Sequence, residues 1–172
     1  MPKRVYISTL CYSLGFLLVF LFIFSCGSRR TIETKRPETR LARYTILEVP
    51  GFRTSLTGVP SDVLWRIPNR VVTILRDEWV FPGVTRSSVD QEESVLVLEG
   101  TVVSYSTESG FRKLIGDGLI GVHVRLFDKA NGRVVAEATV EGTVKAGIFG
   151  GGMDTAYRHV AREIVDFIRS YY

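Results

Sequence analysis

From Ser94 onward the apolar residues recur every second position, and this most restricts the fold open to the chain. Val95 to Ser106 (VLVLEGTVVSYS) is predicted as one long strand. Gly118 to Asp128 places Ile120, Val122, Val124 and Leu126 on one face. Arg133 to Lys145 places Val134, Ala136, Ala138, Val140 and Val144 on one face. Val135, Glu137, Thr139, Glu141 and Thr143 then take the other. One apolar and one wet face is the pattern of an antiparallel sheet covered on a single side. Asn131-Gly132 supplies the hairpin turn between the last two strands.

Helical spacing flanks this block. Ile67 to Trp79 carries Val71, Ile74, Leu75 and Trp79 on one side, with Pro68 expected in the first turn and Ser61 to Arg66 as an irregular turn. At the carboxy end, about Asp154 to Tyr171, Met153, Ala156, Tyr157, Val160, Ala161, Ile164, Phe167, Ile168 and Tyr171 recur at three and four. Arg158, Arg162 and Asp166 run down the other side, Arg162 and Asp166 being spaced as an i,i+4 pair. Two shorter strands are expected, at Tyr44 to Val49 and, interrupted by Pro82-Gly83, at Val80 to Arg86; the second suits an edge. The order β-α-β-β-β-β-α predicts an α+β domain. It is a two-layer sandwich with a mostly antiparallel sheet of about five strands and two helices on one face.

The amino terminus carries a different signal. Met-Pro-Lys-Arg precedes an uncharged stretch from Val5 to Cys26, most apolar over Gly15 to Phe24, as in a secretory signal. The stretch ends Ile23-Phe24-Ser25-Cys26-Gly27, which resembles a bacterial lipobox. The resemblance implies cleavage before Cys26, lipidation of its thiol and attachment to a membrane there. Phe24 departs from the pattern, where a smaller or β-branched residue is commoner. The alternative is an uncleaved helix in the inner membrane, for which 22 residues from Val5 to Cys26 suffice. Gly27, in place of an aspartate, favours the outer membrane by lipoprotein sorting rules. The chain then divides into a signal peptide (1–25), a lipidated cysteine with a basic linker (26–43) and one domain (44–172). Cleavage would discard Cys11 and acylation would consume Cys26, so thiol catalysis and cysteine-ligated metal are not expected.

Net charge is +4, from 22 basic and 18 acidic residues. Six basic residues (Arg29, Arg30, Lys35, Arg36, Arg40, Arg43) against Glu33 and Glu38 put that excess in the linker. Tyr44 to Tyr172 has 14 basic and 16 acidic residues. A nucleic-acid binder needs its basic surface on the folded part, so nucleic acid is not expected as a partner. The linker would lie on anionic head groups or act as a solvated spacer.

No catalytic, metal or cofactor constellation is legible. Gly116-Asp117-Gly118-Leu119-Ile120-Gly121 has the letters of a dinucleotide motif, but a strand follows it where a helix is required. Gly150-Gly151-Gly152 precedes a helix without the residues of a P-loop, and Asp154 is expected as its N-cap. His123 and His159 have no ligand or relay spacing and read as surface or boundary residues. One loop stands out. Ser106 to Gly118 carries Phe111, Arg112, Lys113, Leu114 and Ile115 between glycines, too many residues for a tight turn. Phe111, Arg112, Lys113 and Leu114 are the candidate partner-binding residues, unless the loop folds back as a bulge or strand extension.

The chain as a whole resembles an uncharacterised bacterial lipoprotein family, a domain of unknown function. The resemblance spans about Leu41 to Ile168. It is strongest in GDGLIGVHVRLFDKANGRVVAEATVEGTV (Gly116 to Val144) and AGIFGGG (Ala146 to Gly152). The fold it implies is similar to the TolB amino-terminal domain, the curli-secretion lipoprotein and the lipoprotein activator of a penicillin-binding protein. By that likeness the chain binds an envelope protein and catalyses nothing. The expectation is a lipid-anchored, periplasm-facing interaction or assembly module. A carrier or enzyme acting on envelope lipid or glycan, and a self-assembling subunit, are the alternatives.

Overall fold

The computed structural model describes residues 29–107, 117–145 and 152–172. Its frame is three twelve-residue strands, β5 (Val95–Ser106), β6 (Asp117–Asp128) and β7 (Val134–Lys145), paired antiparallel in sequence order. Four shorter strands extend them: β1 (Arg29–Lys35), β2 (Ile46–Glu48), β3 (Arg53–Thr54) and β4 (Gly83–Thr85). The seven-stranded order is β1-β7-β6-β5-β2-β4, with β3 also on β5. The short strands β2 and β3 run parallel to β5, and β4 runs parallel to β2. Helices α1 (Val63–Asp77) and α2 (Met153–Arg169) cover one face. The architecture is therefore α+β, mostly antiparallel and two-layered, with β4 at an edge as its Pro-Gly interruption implies. Among the described residues it has seven strands where about five were expected.

The alternation of β6 holds: Ile120, Val122, Val124 and Leu126 are all buried. In β7 it holds from Ala136 onward but fails at the start. Leu126 pairs with Ala136 while Phe127 pairs with Val134, so Val135 is an extra residue. This bulge buries Val135 and turns Val134 outward, the reverse of the expected assignment. At the hairpin Gly132 has φ +67°, the left-handed conformation that the Asn-Gly turn requires.

Helix α2 meets the sheet at Gly142. A Cβ there would stand 2.6 Å from the Ala156 carbonyl oxygen, so this side of β7 admits only glycine if the helix keeps its distance. Asp154 is not the cap of α2. Gly152 takes that position, its carbonyl accepting the Thr155 amide at 2.8 Å, while Asp154 reaches across to Arg70 at 2.6 Å. Nor do Arg162 and Asp166 pair with each other. Arg162 binds Glu78 at the end of α1, and Asp166 binds Arg169 at 2.9 Å.

Helix α1 begins at Val63, four residues earlier than expected, so Pro68 lies inside it. Proline has no N–H for the carbonyl four residues back. That carbonyl, on Leu64, instead accepts the amide of Phe52 at 3.0 Å. The missing helix bond is thus replaced by one that fixes the loop before the helix. Val63, Ile67, Val71 and Leu75 are fully buried, but Trp79 lies past the helix end, outside the apolar stripe assigned to it.

The segment read as a basic linker is partly sheet. Strand β1 pairs antiparallel with β7 over Arg29 to Lys35. Thr31 Oγ1 donates to Glu163 at 2.7 Å, and the Tyr171 hydroxyl donates to Glu33 at 2.8 Å. A 3-10 turn at Leu41–Arg43 follows, with Leu41 fully buried and its amide on the Tyr171 carbonyl at 2.8 Å. Several charges of this segment meet opposite ones: Arg29 with Glu163, Arg36 with Glu33, Arg43 with Asp128, and Glu38 with Arg133.

Candidate functional site

Two surface features stand out among the described residues. The first is the end of α1. The Glu78 amide bonds the Ile74 carbonyl at 2.9 Å, the Trp79 amide the Arg76 carbonyl at 3.1 Å, and the Val80 amide the Leu75 carbonyl at 3.1 Å. The last two bonds form a Schellman ending, whose turning residue must be left-handed and is usually glycine. Here that residue is Trp79, at φ +52°, with its side chain 85% exposed. Val80 and Leu75, the apolar pair that accompanies such an ending, are both buried. The backbone is therefore held firmly while the indole points into solvent.

The chain has two tryptophans, and the other, Trp65, is 57% exposed at the opposite end of α1. It is more constrained. Arg86 lies over its ring at 5.2 Å, and Gly51 packs beneath, where a Cβ would come within 3.2 Å of the ring. Burial pulls the Arg86 guanidinium below its usual basicity, and its Nη1 is buried without a hydrogen-bond partner among the described residues.

The second feature is a cleft of about 470 Å³ between α1, α2 and the start of β1. It is lined by Arg70, Thr73 and Ile74 of α1, Arg158, His159 and Arg162 of α2, and Arg29 of β1. The carboxylates that pair with these arginines are not part of the lining. Asp154 meets Arg70 at 2.6 Å and Arg158 at 4.0 Å, Glu163 meets Arg29 at 3.7 Å, and Glu78 holds Arg162. The His159 Nδ1 donates to the Thr143 carbonyl at 3.2 Å, which fixes the ring against β7. The lining offers positive charge and planar N–H donors.

The open face of the sheet carries cross-strand polar pairs. His123 lies between Glu137, 2.7 Å from its Nε2, and Thr139, 3.1 Å from its Nδ1. Arg125 pairs with Glu99 at 2.7 Å. Carboxylate, imidazole and hydroxyl thus stand in line across β6 and β7. Among the described residues no group of three or more His, Cys, Asp or Glu is placed to hold a metal ion. Nor is any helix there long and apolar enough to cross a membrane.

Cys26 and the loop residues Phe111, Arg112, Lys113 and Leu114 lie outside the described residues. His123 sits on the wet face, as its register requires, and His159 lines the cleft. The cleft arginines were missed as a group. Their signal was present: Arg66 and Arg70, and likewise Arg158 and Arg162, repeat one charge at i,i+4, which a solitary helix disfavours. Trp79 was missed because it continues the helical spacing of the apolar stripe.

The sequence matches no known protein-family model and no curated protein. Solved structures share the fold. The PelC dodecamer from Paraburkholderia phytofirmans aligns over 84% of this chain and 98% of its own, with a TM-score of 0.59 at 18% identity. A Xanthomonas campestris protein assigned to DUF330 aligns over 80% of this chain and 88% of its own, with a TM-score of 0.52 at 14% identity. A hypothetical protein from Chlamydia trachomatis aligns over 73% and 96%, with a TM-score of 0.50 at 11% identity.

Proposed function

We propose that this chain is a lipid-anchored envelope protein whose domain works as an interaction and assembly module. In this reading Cys26 is acylated and the domain faces the periplasm from the outer membrane. An inner-membrane position through an uncleaved amino-terminal helix is the alternative. The role is binding, with no reaction assigned to the chain.

The observation that supports it is Trp79. A left-handed non-glycine residue strains the backbone, and such strain collects at functional positions. An exposed indole also leaves a large apolar surface in water. Tryptophan is enriched among the few residues that dominate protein interfaces. A glycine would end α1 with less strain, so the indole is the reason for the position. Trp79 is then the anchor that a partner covers, with Glu78, Arg162 and Arg169 as its polar rim.

The partner is an envelope protein. A second reading, that copies of this chain are the partner, is favoured by the fold likeness to a protein that forms a dodecamer. In-cell photo-cross-linking from position 79, by Trp79→p-benzoylphenylalanine, tests both. One recurrent envelope protein supports the module reading. Adducts with the chain itself support the self-assembling one. A chain that stays uncross-linked while its partner-independent fold is intact contradicts both.

A further inference from the structure

We infer that the arginine-lined cleft between α1, α2 and β1 binds the phosphate of an anionic phospholipid headgroup. The inference rests on the reading of Cys26 as the lipid anchor. Four guanidinium groups, from Arg29, Arg70, Arg158 and Arg162, line one recess of about 470 Å³, and no carboxylate lines it among the described residues. Guanidinium is the side chain whose planar fork suits phosphate oxygens.

The existing partners do not close the site. Arg70 and Arg158 share one carboxylate, Asp154, which Arg66 also approaches at 3.8 Å. Arg162 and Arg169 share Glu78, and Arg29 meets Glu163 only at 3.7 Å. These are exposed, competing pairs, and exposed ion pairs are weak and salt-screened. A phosphate in the recess would gain several charge-assisted hydrogen bonds while Asp154 kept Arg66, Glu78 kept Arg169 and Glu163 kept the hydrogen bond from Thr31.

The source of the phosphate follows from the chain's connectivity. Arg29 is three residues after Cys26, so an acylated Cys26 holds this lining residue within about 11 Å of the anchor along the chain. Headgroup phosphates are then held near the cleft by the anchor itself, at high effective concentration. Occupation would fix which face of the domain meets the membrane.

Native mass spectrometry of the full chain, extracted into neutral detergent, tests this. Dioleoyl-phosphatidylglycerol, dioleoyl-phosphatidylcholine and inorganic phosphate are the probes. One phosphatidylglycerol per chain is expected to be retained in preference to phosphatidylcholine. The Arg70→Gln/Arg158→Gln variant should weaken that retention about tenfold, and Arg70→Lys/Arg158→Lys by less. Arg29→Gln, which alters no helix residue and removes only the 3.7 Å pair with Glu163, is read if the double variant melts early. Equal retention of the two lipids, or retention unchanged in both Gln variants, overturns the inference. Displacement of phosphatidylglycerol by millimolar inorganic phosphate assigns the cleft to free phosphate and overturns the lipid source. The same spectra report the chain's mass. A chain starting at Met1 without acyl groups refutes the anchor, whereas lipid retention reports the cleft separately.

Discussion

Trp79 sets the terms at the scale of single residues. Glycine at the turning position of a Schellman ending avoids the left-handed penalty of roughly 1 kcal/mol. Trp79→Gly should therefore raise the unfolding free energy by up to about 1 kcal/mol in a denaturant titration, although it deletes a large exposed side chain. Glu48 gives a prediction of opposite sign. It is only 6% exposed, and its Oε1 accepts from Lys129 Nζ at 2.6 Å and from the Val89 amide at 2.8 Å. Lys129→Met leaves that carboxylate buried without its cation, an effect of about 3–5 kcal/mol. Adding Glu48→Gln should recover part of the loss, and an unchanged melting temperature in Lys129→Met would refute the pairing. Tyr157 supplies the pH dependence. Burial, and the Tyr105 hydroxyl at 3.3 Å, push its phenol well above the usual 10. The folded state disfavours ionisation, so this contribution is fully present below about pH 10 and is lost as pH rises beyond it. Tyr157→Phe should flatten the alkaline fall in stability. None of these three roles was legible in the sequence, because each depends on a neighbour remote in the chain or on one backbone angle.

At the scale of elements, legibility followed periodicity. β5, β6, β7 and α2 were readable because burial on one face writes a period of two or of three and four into ten or more residues. β1 and β3 were not. β1 reads RRTIETK and is an edge strand whose burial is slight, so nothing in it alternates; β3 is two residues long. The bulge at Val135 was invisible for a related reason, since Val134 and Val135 are both apolar and either could face inward. Pro68 was placed in a first turn because the bond that replaces its own comes from Phe52, sixteen residues away. The contact of α2 with β7 is the element-scale prediction. Gly142→Ala drives a methyl group into the Ala156 carbonyl and should destabilise by about 1–3 kcal/mol. Amide exchange should then rise first along α2 and β7; exchange that rises elsewhere and spares them would contradict the packing.

Among the described residues the molecule is a sheet with helices on one face and cross-strand polar pairs on the other, and the cleft lies on the helical side. The cleft and Trp79 adjoin through Glu78, which precedes Trp79 and holds Arg162 of the cleft lining. The account thus places partner contact and membrane orientation on neighbouring parts of one surface. The loop residues expected to contact a partner, Phe111, Arg112, Lys113 and Leu114, lie outside the described residues. What the sequence could convey here was the layer architecture. The surface was hidden because its residues are drawn from three elements, and no spacing along the chain marks them as neighbours. The most direct test compares the full chain with Trp79→Gly, both extracted in neutral detergent, by particle mass and by thermal melting. A lighter particle is expected, since the substitution removes the anchor, and once both are compared as dissociated chains Trp79→Gly should melt higher, since it relieves the turn. A particle that keeps its co-extracted envelope protein, or its second copies, at unchanged mass would show that Trp79 is not the contact that holds them and would contradict the central claim.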